Sequence, residues 1–262
     1  MKKSLCLILP LLFAICACNK QGSDNKEYIG IISAMDNEMA LLLEEAVIKE
    51  EKVFANTTYY VGTLRDKPVV ITHPGIGKIR ASSGATTLFN TWNISKLIFT
   101  GVAGGTRDDE NVLDEIIGTS VIEHDYGSLS DDGFTWCGGD PGKLEPGEYY
   151  ECDKELVDLA YECACSIMDE SRIHKGLIAT GDQFIASSEY VKWLQDTFDA
   201  YACEMEGAAI GKICVAYDKP FVLLRTLSDK ADGEAHDSYE NFADLAAQQS
   251  NKIVLKMLES MD

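Results

Sequence analysis

From residue 28 onward, short continuous runs of Val, Ile and Leu alternate with stretches of helical periodicity, and this rhythm restricts the fold more than any other feature. Runs such as Lys96-Leu97-Ile98-Phe99-Thr100 show no polar alternation. A strand of that kind needs cover on both faces, which helices packed over a sheet supply. Strand candidates lie at 28–33, 68–73, 96–100, 116–122, 177–180 and 221–228, and helix candidates at 38–46, 78–89, 154–168, 205–217 and 242–258. The alternation predicts an α/β domain. Residues 54–64, with Thr57-Thr58-Tyr59-Tyr60-Val61, read as an antiparallel excursion. No repeat or interdomain linker interrupts the pattern, so one domain over residues 28–262 is expected. A content of 46% hydrophobic residues is enough to fill its core and argues against disorder.

The first residues follow different rules. Lys2 and Lys3 precede an apolar run at 5–17 that is too short to span a bilayer and suits the core of a signal peptide. Ile15-Cys16-Ala17-Cys18 resembles the lipobox of bacterial lipoproteins, and Cys18, following the small Ala17, is the expected acylation site. Residues 1–17 are then a lipoprotein signal and 18–27 a polar tether, placing the mature chain in the cell envelope, lipid-anchored after export, on the periplasmic or surface side. An ordinary cleaved signal with incidental cysteines is the alternative. Of the later cysteines, Cys137 and Cys152 flank a Gly/Pro-rich loop and form the one disulfide worth testing. Cys163, Cys165, Cys203 and Cys214 read as small apolar residues, because their spacing fits no zinc site. The formal charge of −20 argues strongly against nucleic acid and anionic lipid headgroups as main partners, since both reward Lys and Arg clusters. A small molecule or a protein fits better.

Several polar segments follow the apolar strands directly, where open α/β sheets bind ligands. In Ser33-Ala34-Met35-Asp36-Asn37-Glu38, Asp36 suits an N-cap and Glu38 the first helical turn. There the helix dipole favours a carboxylate able to take a proton from water, although Glu38 could equally decorate the helix start. Thr100-Gly101-Val102-Ala103-Gly104-Gly105 offers small residues past which a ligand approaches backbone closely, without the spacing of a dinucleotide fingerprint. Gly75-Ile76-Gly77-Lys78 is similar, and either segment alone reads as a turn. Glu204-Met205-Glu206 places two acids at a strand-to-helix junction, either desolvated and holding a ribose diol or solvated at a helix start. Asp229, ending the strand that carries Arg225 and Ser228, is either a buried acid or base or a helix cap.

Together these segments resemble the 5′-methylthioadenosine/S-adenosylhomocysteine nucleosidase family of the nucleoside phosphorylase superfamily, over residues 28–258. The family's Gly-Ile-Ile-x-Ala-Met with a following Glu ends here at Glu38. Its Gly-Ile-Gly-Lys lies at 75–78, Thr-Gly-x-Ala-Gly-Gly at 100–105, Gly-Asp-x-Phe-Ile at 181–185, Glu-Met-Glu at 204–206 and Ser-Asp at 228–229. The resemblance implies a mixed, twisted central sheet flanked by helices, a nucleoside substrate, a homodimer, and a reaction that uses no metal or cofactor. It also implies roles. Glu38 activates the attacking water, Asp229 beside Ser228 protonates the departing adenine, and Glu206 beside Met205 binds the ribose hydroxyls. Phe184 stacks on the base, the backbone of Ile185 reads the base edge, Val102, Ala103 and Gly104 line the pocket, and Arg225 and Glu204 organise water and ribose less directly. Val102 replaces a Ser frequent in the family, and residues 124–150 retain only His124-Asp125, which leaves the 5′ substituent open. Two other readings stay open, a phosphorolytic enzyme or a nucleosidase for another adenosine or inosine derivative, and a non-catalytic nucleoside-binding surface lipoprotein.

If Cys18 is acylated, Cys18→Ala releases the protein from membrane fractions and abolishes labelling by fatty acid. Retention of an unlabelled variant in the membrane would remove the lipobox reading.

Overall fold

The structure, a computed structural model, describes residues 26–136 and 149–261. The apolar runs form strands and the periodic stretches helices, in the order β1 (Tyr28–Ile32), α1 (Asp36–Glu45), β2 (Val47–Phe54), β3 (Thr57–Leu64), β4 (Lys67–Thr72), α2 (Lys78–Thr91), β5 (Ile94–Gly105) and β6 (Glu115–Glu123). A small hairpin, β7 (Gly127–Ser130) and β8 (Gly133–Trp136), is followed by β9 (Tyr150–Glu151), α3 (Lys154–Cys165), β10 (Ile173–Thr180), α4 (Ser188–Phe198), β11 (Ala200–Glu204), α5 (Gly207–Ala216), β12 (Phe221–Asp229) and α6 (Ala235–Ser260).

The main sheet runs β11-β10-β6-β12-β5-β1-β4-β3-β2, with β9 on β6. It is mixed. Strand β5 is parallel to both β1 and β12, whereas β12 meets β6 antiparallel and the β2-β3-β4 end is antiparallel throughout. The two ends of one half also join, because β11 pairs antiparallel with the tip of β5 through Ala202 opposite Gly105 and Cys203 opposite Gly104. Strands β5, β12, β6, β10 and β11 thus close on themselves, with the remaining strands as an extension beyond β1. Closure needs the glycines. A Cβ on Gly104 would lie 2.8 Å from both the Ala231 methyl and the Asp229 carboxylate, and one on Gly105 would lie 2.7 Å from Leu227.

Strands β5 and β12 are the driest part of the fold. Ile98, Phe99, Leu223 and Leu224 are buried completely or nearly so, as expected for strands covered on both faces. Helix α6 lies across β12 and β5 with α1 and α3 beside it, and α2 packs on α5.

Several elements differ from the sequence expectation. Strand β2 was not anticipated, because its residues are mostly exposed and four of its eight are charged, which suits an edge strand. The pair α4 and β11 was also unmarked. Only Leu194 and Phe198 of α4 are buried, and β11 follows it after a single left-handed residue, Asp199 with φ 57°. Helix α6 starts seven residues earlier than the expected 242, its first turns being polar. The Gly-rich segment lies within β5 and not after it. Asp36 is the first residue of α1, and the N-cap position falls on Met35. The signal, the lipobox with Cys18, and the tether up to residue 25 lie outside the described residues, as does Cys137. Cys152 is buried, its thiol pushed up to about 12 by burial. Cys163, Cys203 and Cys214 are buried, as expected of small apolar residues, whereas Cys165 is exposed.

Candidate active site

The ends of β1, β5, β10, β11 and β12 meet around one cleft of about 600 Å³. Glu38, Val102, Ala103, Gly104, Phe184, Ile185, Glu204, Met205, Glu206, Ser228 and Asp229 all line it, so residues spread over almost two hundred positions share one wall system. Arg225 does not line the cleft and sits behind Glu204. The cleft also includes Ala34, Met35, Ile76, Gln183, Cys203 and Tyr239, which sequence reasoning did not name as site residues. Tyr239 left no signal, because it sits in the polar first turns of α6, ahead of the stretch with apolar periodicity. Cys203 gave no signal while β11 went unrecognised.

Glu38 belongs to the first turn of α1, yet its carboxylate points back over the turn. One oxygen accepts the N–H groups of Ala34 and Met35, each at 2.9 Å, and the other accepts that of Val102 at 2.9 Å. The Met35 contact is half of a capping box at the helix start, whereas the Ala34 and Val102 contacts and an exposure of 3% hold the carboxylate in the cleft and out of solvent. Gly101 makes room for the carboxylate, since a Cβ there would stand 2.4 Å from its oxygen. Burial pushes the carboxyl up, against the nearby Arg225 charge and the three N–H donors. The outcome is a fixed carboxylate that takes up a proton more readily than an ordinary one.

Glu204 and Arg225 form a buried ion pair at 2.8 Å, each side chain 2% exposed. Glu204 also accepts the hydroxyl of Thr180 and the N–H groups of Glu206 and Gly207, which fixes the start of α5. The guanidinium lies over the Phe99 ring, 4.0 Å from its centroid. Glu206 is buried too, so the solvated helix start is excluded. The N–H of Gly77 donates to it at 2.6 Å, while burial and the Glu204 charge push its carboxyl up to about 8. Beneath the cleft, Glu115 is fully buried, accepts the Thr226 hydroxyl, and is pushed by burial up to about 8.

Asp229 ends β12. One oxygen accepts the Ala231 N–H at 2.8 Å and the other accepts the Ser228 hydroxyl at 2.9 Å, which also lies 3.3 Å from the Ala103 carbonyl. Helix α6 begins only at Ala235, so Asp229 closes a local turn and caps no helix. Burial raises its pKa, which favours a carboxyl holding a proton it can give away. Phe184 lines the cleft with its ring stacked on His236 at 4.6 Å and edge-on to Tyr239, whose hydroxyl donates to the Met35 sulfur at 3.3 Å. The cleft therefore offers a proton acceptor, a proton donor, a hydrogen-bonding carboxyl and an aromatic face, enough to hold a base and a sugar and to break the bond between them by acid and base chemistry.

Glu115 gives a measurable consequence of this buried acidity. Its folded pKa of about 8 exceeds the ordinary 4.5, so its contribution to stability is complete below about 4.5 and disappears as pH rises through about 8. Glu115→Gln removes that dependence. Unfolding free energies measured across this window should fall less steeply in the variant, by up to ~1.4 kcal/mol per pH unit. An unchanged slope would mean that Glu115 ionises freely in the folded protein.

Residues 28–259 match the family model of the phosphorylase superfamily. The 5′-methylthioadenosine/S-adenosylhomocysteine nucleosidase of Anoxybacillus flavithermus is 38% identical over 235 residues, covering 89% of this chain and 99% of the relative. The fold is similar to that of the Neisseria meningitidis nucleosidase of the same name, solved in complex with methylthio-immucillin-A, with a TM-score of 0.80 and 32% identity over 89% of this chain and 99% of that one. Futalosine hydrolase of Helicobacter pylori is similar as well, with a TM-score of 0.80 and 30% identity over 90% and 98% of the two chains. On a match that runs through every strand end of the cleft, this chain belongs to the phosphorylase superfamily and, within it, to the 5′-methylthioadenosine/S-adenosylhomocysteine nucleosidase family.

Proposed function

We propose that this chain is an N-glycosyl hydrolase that cleaves 5′-methylthioadenosine and S-adenosylhomocysteine, releasing adenine. The observation that carries the reading is the placement of Glu38, Glu206 and Asp229 around one cleft, each carboxyl in a different setting. Asp229, with its raised pKa, protonates the purine as it leaves. Positive charge develops on the sugar in an oxocarbenium-like state, and Glu38 takes a proton from the water that attacks it. Glu206 holds the ribose hydroxyls, Phe184 supports the base, and the backbone of Ile185 meets its edge. The division of labour is that of an inverting glycosidase, in which one carboxyl assists departure and another activates water.

Hydrolysis is preferred to phosphorolysis because an acidic Glu38 occupies the place where a phosphorylase seats its anion. The similarity to futalosine hydrolase supports a wider choice of 5′ group. The same reading places the enzyme in the cell envelope through a lipid on Cys18, for which Lys2, Lys3 and the apolar run at 5–17 are the support. A homodimer belongs to it through the family resemblance.

The reaction class is tested by incubating the protein with methylthioadenosine, S-adenosylhomocysteine, futalosine and inosine derivatives, with and without phosphate. Adenine and a free 5′-thioribose are expected at a rate phosphate does not change. A ribose 1-phosphate derivative as main product would reverse the assignment, and binding without turnover would favour the non-catalytic lipoprotein.

Two substitutions separate the carboxyl roles. Asp229→Asn keeps the shape and loses the transferable proton, so kcat falls by about 10²–10⁴-fold with little change in substrate affinity. Glu206→Gln weakens contacts made both before and during the reaction, so Kd rises while kcat falls far less than in Asp229→Asn. Near-normal kcat in Asp229→Asn would remove Asp229 from the mechanism.

A further inference from the structure

Lys78 is the first residue of α2, where a cation opposes the helix dipole and no acidic residue of the first turn offsets it. Its ammonium lies 2.5 Å from Glu123, 2.5 Å from Asp125 and 3.6 Å from Asp182. Those partners come from the end of β6 and from the loop after β10, so three separate segments of chain meet on one side chain. The backbone reinforces the meeting. Asp182 accepts the Lys78 N–H at 3.0 Å, capping a helix more than a hundred residues away in sequence, and Asp125 accepts the Asp182 N–H at 2.7 Å.

The same turn reaches the cleft. Gly77 has φ +99°, and a Cβ on it would lie 3.3 Å from the Asp182 carboxylate, so only glycine fits without strain. In that conformation two successive amides point to different partners. Gly77 N–H goes to Glu206 at 2.6 Å and Lys78 N–H to Asp182. Asp182 in turn precedes Gln183, Phe184 and Ile185, three cleft residues in one loop. One wall carries the ribose carboxyl and the other the aromatic face, and Lys78 stands at their junction, its amide next to the one that holds Glu206 and its ammonium reaching Asp182 beside the Phe184 loop.

We infer that Lys78 is a positioning residue that fixes the distance between Glu206 and the Phe184 loop, a role that rests on the nucleosidase reading. It touches no substrate. Its ammonium holds Asp125 and Asp182 against their mutual repulsion, these hold the turn at 77–78, and the turn presents the amide that orients Glu206.

The test compares Lys78→Met, which keeps the length and loses the charge, with Lys78→Arg. Both walls contact substrate before and during the reaction, so Lys78→Met is expected to raise KM about tenfold while kcat stays within about threefold, and Lys78→Arg to bring KM back to within about threefold of the unaltered enzyme. Lower kcat at unchanged KM, as a smaller folded fraction would give, overturns the inference. Hydrogen exchange supplies a readout independent of turnover. In Lys78→Met the amides of 75–78 and 181–185 are expected to exchange faster together, and acceleration in one segment alone overturns the coupling. If the unaltered enzyme turns over no nucleoside, the nucleosidase reading fails while the exchange result still decides whether the two segments are coupled. Should Lys78→Met not fold, Asp182→Asn weakens one arm and retains an acceptor for the Lys78 N–H. A smaller rise in KM is then expected, and unchanged KM overturns the proposal.

Discussion

The buried guanidinium of Arg225 is the contact on which the cleft depends. It pairs with Glu204 at 2.8 Å inside the closed half of the sheet, and its charge also bears on Glu38, Glu206 and Glu115, all of them buried. A buried ion pair adds little net stability, because removing two charges from water offsets most of their attraction. Removing only one of them is costly, since the other stays behind without compensation. The contribution of the pair is therefore geometric. Glu204, held by Arg225 and the Thr180 hydroxyl, receives the N–H groups of Glu206 and Gly207 and fixes the point where β11 becomes α5. Glu206 then has a single place to be.

Around that pair, the sheet brings carboxyl groups together while holding their environments apart. Glu38 is tied by three backbone N–H groups, Asp229 by one N–H and one hydroxyl, and Glu206 by one N–H from a loop across the cleft. All three are shifted upward chiefly by burial, so the site is dry enough for proton affinities to move and polar enough for each group to keep a partner. The small residues of β5 make this possible. A side chain at Gly101 would displace Glu38, and one at Gly104 would displace Asp229.

Much of the fold was legible because burial on both faces leaves a direct mark in sequence. The runs that became β1, β4, β5 and β12 are built around short unbroken apolar stretches such as Val69–Ile71, Leu97–Phe99 and Phe221–Leu224, and each was placed within a few residues except where β5 continues through its glycines. Elements that bury little left weaker marks. Strand β2 is a charged edge, α4 buries two residues, and the early turns of α6 are polar, so their periodicity was diluted by solvent-facing positions. Among the cleft residues, those at the ends of apolar strands stood out as polar groups in the wrong place. Tyr239 did not, because nothing in the local pattern of a polar helix start says which way one ring points.

By itself the sequence determined the α/β class and the strand ends where polar groups collect, because strand burial and short polar motifs are local properties; Glu38, Glu206 and Asp229 stood among those groups with alternatives open, and the family resemblance singled them out. Only the tertiary structure decided that β11 returns to the tip of β5, that Arg225 stands behind Glu204 and outside the cleft, and that Lys78 joins loops more than a hundred residues apart. Those facts depend on which strands pair at long range and how closely their backbones pass. Pairing and approach are fixed by the packing of the whole core, and no stretch of neighbouring residues contains that information.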